Sequence, residues 1–514
     1  MRENFHAARW DEPLVMELGA PGRRGAIVAA PGDEAGAALV PESMRRAAPP
    51  ELPELSEHDV LRHYLHLAQE TLGMLGVSLF GTCTVKYNPR VAEQLTMRPQ
   101  IAEVHPYQDP ATIQGLLEIV YRLDRILREL SGMDQFVFQP GGGANAAYTH
   151  ACVTRAYHAS RGELETRREV ITSIQAHPCN PATASAAGFD VITLPLEEHG
   201  YPSLEALKAA VSERTAALMV GNPDDMGIYN PEIKEWVKVV HDAGALAFYD
   251  HANFNGVMGK LRARELGFDA CMYMLHKTFG APKTGGGGPA TGAYGCSAEL
   301  APFLPVPLVG FDGARYTLEV DRPQSIGKIR EFMGNLPVVV RAYAWARGMG
   351  AEGISEASDL SVLANNYMAT RLNGIRGVTI SHPHIDGPRM EMTRWSLEQL
   401  REDTGVGVVD VANRMADFGI DGPWLSHHPW LVPEPITPEA GELWSREDID
   451  EWCDVLERAC TEAYDDPELV KTAPHRSVIH QVDMSGGEDP DRWATTWRVY
   501  KRKHGVPSRT QTVQ

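Results

Sequence analysis

Cysteine is scarce and poorly placed for cross-linking. Seven residues (83, 152, 179, 271, 296, 453 and 460) are scattered through 514, an odd number with no Cys-x-x-Cys pair. This argues against a disulfide framework or a zinc site, no metal is expected, and a reducing cytoplasmic location is the expectation. No run approaches the ~18 apolar residues of a membrane helix. The opening MRENFHAARWDEPLVMELG has no apolar signal-peptide core, so neither membrane insertion nor export is expected. Basic charge is short: 48 Lys and Arg face 68 Asp and Glu, a formal net charge of −20. Binding to a phosphate backbone needs the opposite balance, which disfavours nucleic acid as a partner.

What is present is a large, ordinarily apolar chain in which helical and strand patterns alternate from about residue 110. EVITSIQAHP, DVITLP, TAALMVGNP, LAFYDHA and ACMYMLH read as short strands, with His177 ending the first. LLEIVYRLDRILRELSG and EIKEWVKVVHDAGA read as amphipathic helices. The alternation predicts a mostly parallel sheet covered by helices. Ser56 begins a helix signature ahead of Leu61, Tyr64 and Leu65. Beyond Asp321-Arg322-Pro323, LPVVVRAYAWARGMG, SDLSVLANNYMATRLNGI and REDIDEWCDVLERACTEAY read as helices of a smaller α+β domain. The expected organisation is an N-terminal arm (1–60), a large domain (61–325), a small domain (326–485) and a loosely ordered polar tail (486–514).

Lys277 follows the apolar run MYMLH and precedes Thr-Phe-Gly and the glycine run 285–288. It reads either as a surface lysine or as one that forms a Schiff base. Asp250 closes LAFYD and reads either as a turn cap or as a partner for a ring N–H. The 27 residues between them fit one crossover, which puts both on one sheet edge, where ligands of such sheets bind. Gly141-Gly142-Gly143-Ala144-Asn145 precedes a helix, a natural phosphate cup. It is not a Walker loop, because no Gly-Lys-Ser/Thr follows. His177 could stack on a planar ring or be satisfied within a turn. Asn222 and His276 also sit at strand ends. Together these groups fit pyridoxal 5'-phosphate (PLP), whose enzymes need a lysine, a ring-nitrogen partner and a phosphate cradle.

Over nearly its whole length the chain resembles the PLP-bearing subunit 2 of glycine dehydrogenase (decarboxylating), the P-protein of the glycine cleavage system. PLVMELGAPGRRG, PELPELSEHDVLRHY, FGTCTVKYNPR, TRAYHASRGE, AHPCNPATASAAGF, LHKTF, GGGGPATG and DRPQSIGKI carry the resemblance, in the family's order. It implies a fold-type I (aspartate aminotransferase-like) PLP enzyme. Lys277 would be the Schiff-base lysine, His177 the ring-stacking residue, Asp250 the ring-nitrogen partner and Gly143–Asn145 the phosphate turn. The implied reaction joins glycine to the cofactor, releases carbon dioxide and passes an aminomethyl group to a lipoyl carrier. A homologous subunit 1 and an oligomeric assembly are implied as well.

The sequence departs from that family at Ser78-Leu79-Phe80-Gly81-Thr82-Cys83, Ala147, His177-Pro178-Cys179, Asp224-Asp225, His251 and Pro282-Lys283-Thr284. An acid or base is lost at Ala147, and His251 brings bulk and a titratable ring to what reads as the site. These departures motivate an alternative: a repurposed PLP enzyme of specialised metabolism that decarboxylates or forms carbon–carbon bonds on another amino acid without a lipoyl carrier. Arg341, Arg389 and Arg394 are available to bind a substrate carboxylate, with no means of choosing among them from sequence.

Overall fold

In the computed structural model, which describes residues 8, 10–23, 25, 39–48, 50–72, 79, 87–281, 290–423, 425, 431–477, 486–487 and 489–505, seven strands make one sheet. They are β1 (Gln135–Val137), β2 (Glu169–Ser173), β3 (Asp190–Leu194), β4 (Thr215–Gly221), β5 (Leu246–His251), β6 (Ala270–Met274) and β7 (Gly292–Cys296), in the order β1-β7-β6-β5-β4-β2-β3. Every adjacent pair is parallel except those of β7, which runs antiparallel to β1 and β6. The carboxyl ends of β1, β2, β4, β5 and β6 therefore share one edge.

β7 was not legible in the sequence, because GAYGC has two glycines in five residues. The packing requires both. A Cβ on Gly292 would lie 2.5 Å from the Gly142 carbonyl oxygen, and one on Gly295 would strike the Phe136 ring at 2.3 Å. The crossover from β5 to β6 carries only a short 3-10 helix, Ala263–Leu266.

Two contact clusters define two compact units, one of residues 1–76, 413–420 and 472–514 and the other of 77–412 and 421–471. In the first, α1 (Glu57–Leu72) begins where the sequence signature places it. Ser56 Oγ accepts the Asp59 N–H at 3.1 Å, and Asp59 Oδ2 accepts the Ser56 N–H at 3.2 Å. Leu61, Tyr64 and Leu65 share a face of α1 and are exposed. Within the expected loose tail, Trp497–His504 is helical, capped by Thr496 and stopped by left-handed Gly505.

In the second unit, α2 (Gln114–Ser131) and α5 (Ile233–Asp242) bury apolar stripes on one face of the sheet: Leu116, Leu117, Val120, Leu123 and Leu127, and Trp236, Val237 and Val240. Each such side chain contributes roughly 1.5–3 kcal/mol by leaving water. Between α2 and α5 in the chain, α3 (Gly143–Ser160) packs on the opposite face through Ala146, Ala147 and Ala151, and α4 (Cys179–Ala186) follows β2. The strand pleat sorts residues between the faces. Ala247 and Tyr249 join the first cluster, and Leu246 and Phe248 the second. A helical stretch α6 (Leu336–Leu372) breaks at Gly350, where φ is 67°, so the two helices expected from sequence are separate. Outside the large sheet lie a two-stranded sheet, β8 (Leu308–Phe311) and β9 (Tyr316–Glu319), a three-stranded sheet, β10 (Thr379–Ile380), β11 (Trp395–Ser396) and β12 (Pro435–Ile436), and α7 (Arg446–Asp465). Among the described residues no helix is long and apolar enough to cross a membrane.

Candidate functional site

The pleat decides which side chains can meet at the carboxyl edge. Asp250 follows Tyr249, so it faces the same side as Phe248 and α3. It is buried. Its Oδ1 accepts the Ala252 N–H at 2.9 Å and its Oδ2 accepts Asn180 Nδ2 at 3.1 Å. Burial raises its carboxyl to about 6, against the pull of these bonds and of the Lys277 charge.

Lys277 lies three residues past β6, in a turn where its N–H donates to the Met274 carbonyl at 3.1 Å, and it is half-buried. A chain of polar contacts holds the next residue: Thr278 Oγ1 donates to Asn255 Oδ1 at 2.8 Å, and Asn255 Nδ2 donates to Glu439 Oε1 at 2.5 Å. His276 is buried with Nδ1 3.4 Å from the Thr291 carbonyl.

His177 does not end a strand. β2 stops at Ser173, and the chain turns as Ile174 N–H donates to Leu194 and Ala176 N–H returns to Ser173. The turn carries His177 beyond the strand end, just before α4. Its Nδ1 accepts the Cys179 N–H at 3.1 Å, which leaves the proton of a neutral ring on Nε2. Burial and the Asp250 charge push the Cys179 thiol well up.

At the mouth of α3, Gly142 caps the helix without a side-chain bond. The N–H groups of Gly143, Ala144 and Asn145 have no carbonyl partner within the helix. Asn145 Oδ1 accepts the Gly141 N–H at 2.9 Å and closes the turn.

Asn222, expected to face a cofactor, has both ends of its amide engaged by the Asn230 backbone, at 3.1 and 2.8 Å, and shapes the turn after β4 instead. His251 is not at this site. The pleat turns it to the other face, where it is wholly buried against Tyr249, Phe254 and Tyr273. Ala147 likewise packs in the apolar cluster beneath α3. Lys283, Thr284, Gly285–Gly288, Ser78 and Phe80–Cys83 lie outside the described residues.

Sequence reasoning missed Asn180, Asn253 and Asn255, and named Asp225 only as a departure from the family. Asp225 is buried and accepts Asn253 Nδ2 at 3.0 Å. The Arg394 guanidinium and Asn253 hold its carboxyl below the ordinary range despite burial, aided by the charges of His177 and Lys277. Asp224, with like-charged Asp225 beside it, is pushed by burial to about 7. The pair was visible as Asp224-Asp225 and Arg394 as one of three carboxylate-binding candidates, but nothing in the sequence joined Arg394 to Asp225.

The profile of the aminotransferase class-V family matches residues 135–286, and that of the glycine dehydrogenase C-terminal domain matches 357–479. A protein of Pyrococcus horikoshii described as probable glycine dehydrogenase (decarboxylating) subunit 2 is 42% identical over 97% of this chain and 98% of its own length. The similarly described protein of Thermococcus onnurineus is 44% identical over the same shares. The crystal structure of a glycine decarboxylase (P-protein) of the glycine cleavage system, in inhibitor-bound form, aligns with a TM-score of 0.68 at 22% identity, covering 84% of this chain and 95% of that one. The cysteine desulfurase CsdA from Escherichia coli aligns at 0.56 and 16% identity, over 75% and 95% of the two chains. These structural likenesses establish the fold-type I architecture expected from the sequence.

Proposed function

The chain belongs to the glycine dehydrogenase (decarboxylating) subunit 2 family, and on that premise we propose that it is a PLP-dependent enzyme that decarboxylates glycine and passes the remaining aminomethyl group to an acceptor such as a lipoyl carrier. The observation that carries this reading is that Lys277, Asp250, His177 and the open mouth of α3 lie at or just beyond strand ends along one sheet edge. The near full-length relatives favour it over a repurposed activity without a carrier.

The residues present fit PLP. Asp250 is a buried carboxyl already fixed by two donors, and the Asn180 Oδ1 beside it is buried with no hydrogen-bond partner among the described residues. Bound there, the cofactor supplies an electron-withdrawing ring that accepts the electron pair left when the bond to the carboxyl carbon breaks.

Lys277 would provide the amine that holds the cofactor and gives it up to the amino group of the substrate. Asp250 keeps a proton on the ring nitrogen, and a low-dielectric surrounding strengthens that pairing. Asn180 and the Ala252 N–H fix its two oxygens, so the carboxylate is aimed before the ligand arrives. His177, oriented by the Cys179 N–H, would stack on the ring. The N–H groups of Gly143, Ala144 and Asn145 take the phosphate with the helix dipole. His276 supports the lysine turn from the β7 side, and Asn222 shapes the neighbouring turn.

As a subunit 2, the chain would work with a homologous subunit 1, a lipoyl carrier and an oligomeric assembly. The six described cysteines are unpaired, which supports a reducing, cytoplasmic setting. The test is exchange of labelled bicarbonate into the carboxyl group of glycine, with subunit 1 and carrier present. Exchange that depends on this chain supports the reading. Absence of exchange, with turnover of another amino acid, sinks it.

A further inference from the structure

Arg394 is wholly buried immediately before β11, yet its two terminal nitrogens, Nη1 and Nη2, have no hydrogen-bond partner among the described residues. Only Nε is engaged, donating to Thr437 Oγ1 at a long 3.4 Å. The Asp225 Oδ2 atom lies 3.8 Å from Nη2, close enough to balance charge and too far for a hydrogen bond. Asp225 Oδ2 also has no donor among the described residues. Asp225 in turn feels the charges of Lys277 and His177, so the pair lies within electrostatic reach of the cofactor-linking lysine.

A buried guanidinium with idle N–H groups is costly, and a carboxylate satisfies two of them at once. The other candidate arginines are more fully engaged, Arg389 leaving one terminal nitrogen, Nη1, without a partner among the described residues. Arg341 pairs with Glu93 at 2.7 Å, and Arg389 Nη2 donates to the carbonyls of Ser381 and His382 at 2.9 Å.

We propose that Arg394 is the receptor for the α-carboxylate of a small amino acid and that Asp225 is its internal competitor, paired with Arg394 in the resting site and displaced when the substrate enters. The proposal rests on the decarboxylase reading and extends it. When the carbon–carbon bond breaks, its electron pair stays with the aminomethyl fragment and the anionic carboxylate becomes neutral carbon dioxide. Carbon dioxide has no charge to hold the guanidinium, so Asp225 re-forms its pair and disfavours the return of the product. The site then suits a monocarboxylate with little bulk beside its carboxyl group.

The test uses the full chain with cofactor bound, titrated with glycine and with methylamine, which has the amine and no carboxylate. The readout is the visible absorbance of the lysine–cofactor link. Arg394→Gln weakens glycine by roughly 10- to 10²-fold, the worth of a charged hydrogen bond, and leaves methylamine within about 2-fold. Asp225→Asn tightens glycine by roughly 2- to 5-fold, the worth of a weak ion pair. Opposite shifts from the two partners are not what a merely structural ion pair gives. If a single variant does not fold, the double variant Asp225→Asn/Arg394→Met carries the test, and glycine then loses its advantage over methylamine. Equal weakening of glycine and methylamine in the Arg394 variant overturns the proposal. A wild-type response to another small amino acid and none to glycine removes the glycine reading, and the pair is then judged on that amino acid. A wild-type protein that binds methylamine and no amino acid overturns both.

Discussion

Asn180 donates from Nδ2 to Oδ2 of Asp250 at 3.1 Å, tying the start of α4 to the end of β5 across the carboxyl edge of the sheet. The contact fixes the direction of the one buried carboxyl on β5 and leaves Asn180 Oδ1 without a hydrogen-bond partner among the described residues.

Asp250→Asn keeps the shape of that contact and removes the charge. Cofactor still binds, and turnover falls by roughly 10²-fold or more, as for loss of one preorganised electrostatic group. Steady-state rates at equal cofactor occupancy check this. Unchanged turnover would remove Asp250 from its role.

Gly292→Ala places a Cβ 2.5 Å from the Gly142 carbonyl oxygen, a backbone atom that cannot swing aside. Separating β7 from the mouth of α3 costs about 1–3 kcal/mol of stability, typical of overpacking. Because Gly143–Asn145 begin at that carbonyl, affinity for the phosphate-bearing cofactor falls too. Thermal midpoints with and without cofactor measure both effects. A variant with wild-type cofactor affinity would show that the turn is not the phosphate cradle.

His251 gives a pH signature. Burial among aromatic rings depresses its pKa to about 3 from 6.5, and neither ring nitrogen has a hydrogen-bond partner among the described residues. The unfolded chain therefore binds the extra proton first as pH falls. The associated stability is full above pH 6.5 and is lost progressively toward pH 3, by about 1.4 kcal/mol per pH unit. His150, also pushed down to about 3, acts in the same window. His251→Phe removes one of these two dependences, so its stability relative to wild type rises as pH falls from 7 to 5. A constant difference across that range would place the ring in contact with water or an acceptor.

The apolar runs that became β2, β4, β5 and β6 were legible because a strand buried on both faces reads as a continuous hydrophobic segment. Lys277 and Asp250 were legible because polar groups at the ends of such runs stand out. Facing was not. Asp250 and His251 are neighbours in sequence, and only the register of β5 shows that one meets α3 and the other the aromatic cluster. His177 was misplaced at a strand end because IQAH continues the apolar pattern, while the Ala176 N–H folds back onto the Ser173 carbonyl and turns the chain. The Asp225–Arg394 pair was hidden for a different reason. It joins the turn after β4 to the start of β11, and nothing local in either segment announces the other.

The most direct measurement is reduction of the cofactor-loaded protein with borohydride, followed by proteolysis and mass spectrometry. A covalent cofactor adduct on the peptide carrying Lys277, lost in Lys277→Ala together with the visible absorbance band, is the expected result. An adduct on another lysine, or an undiminished band in that variant, would contradict the assignment of the site.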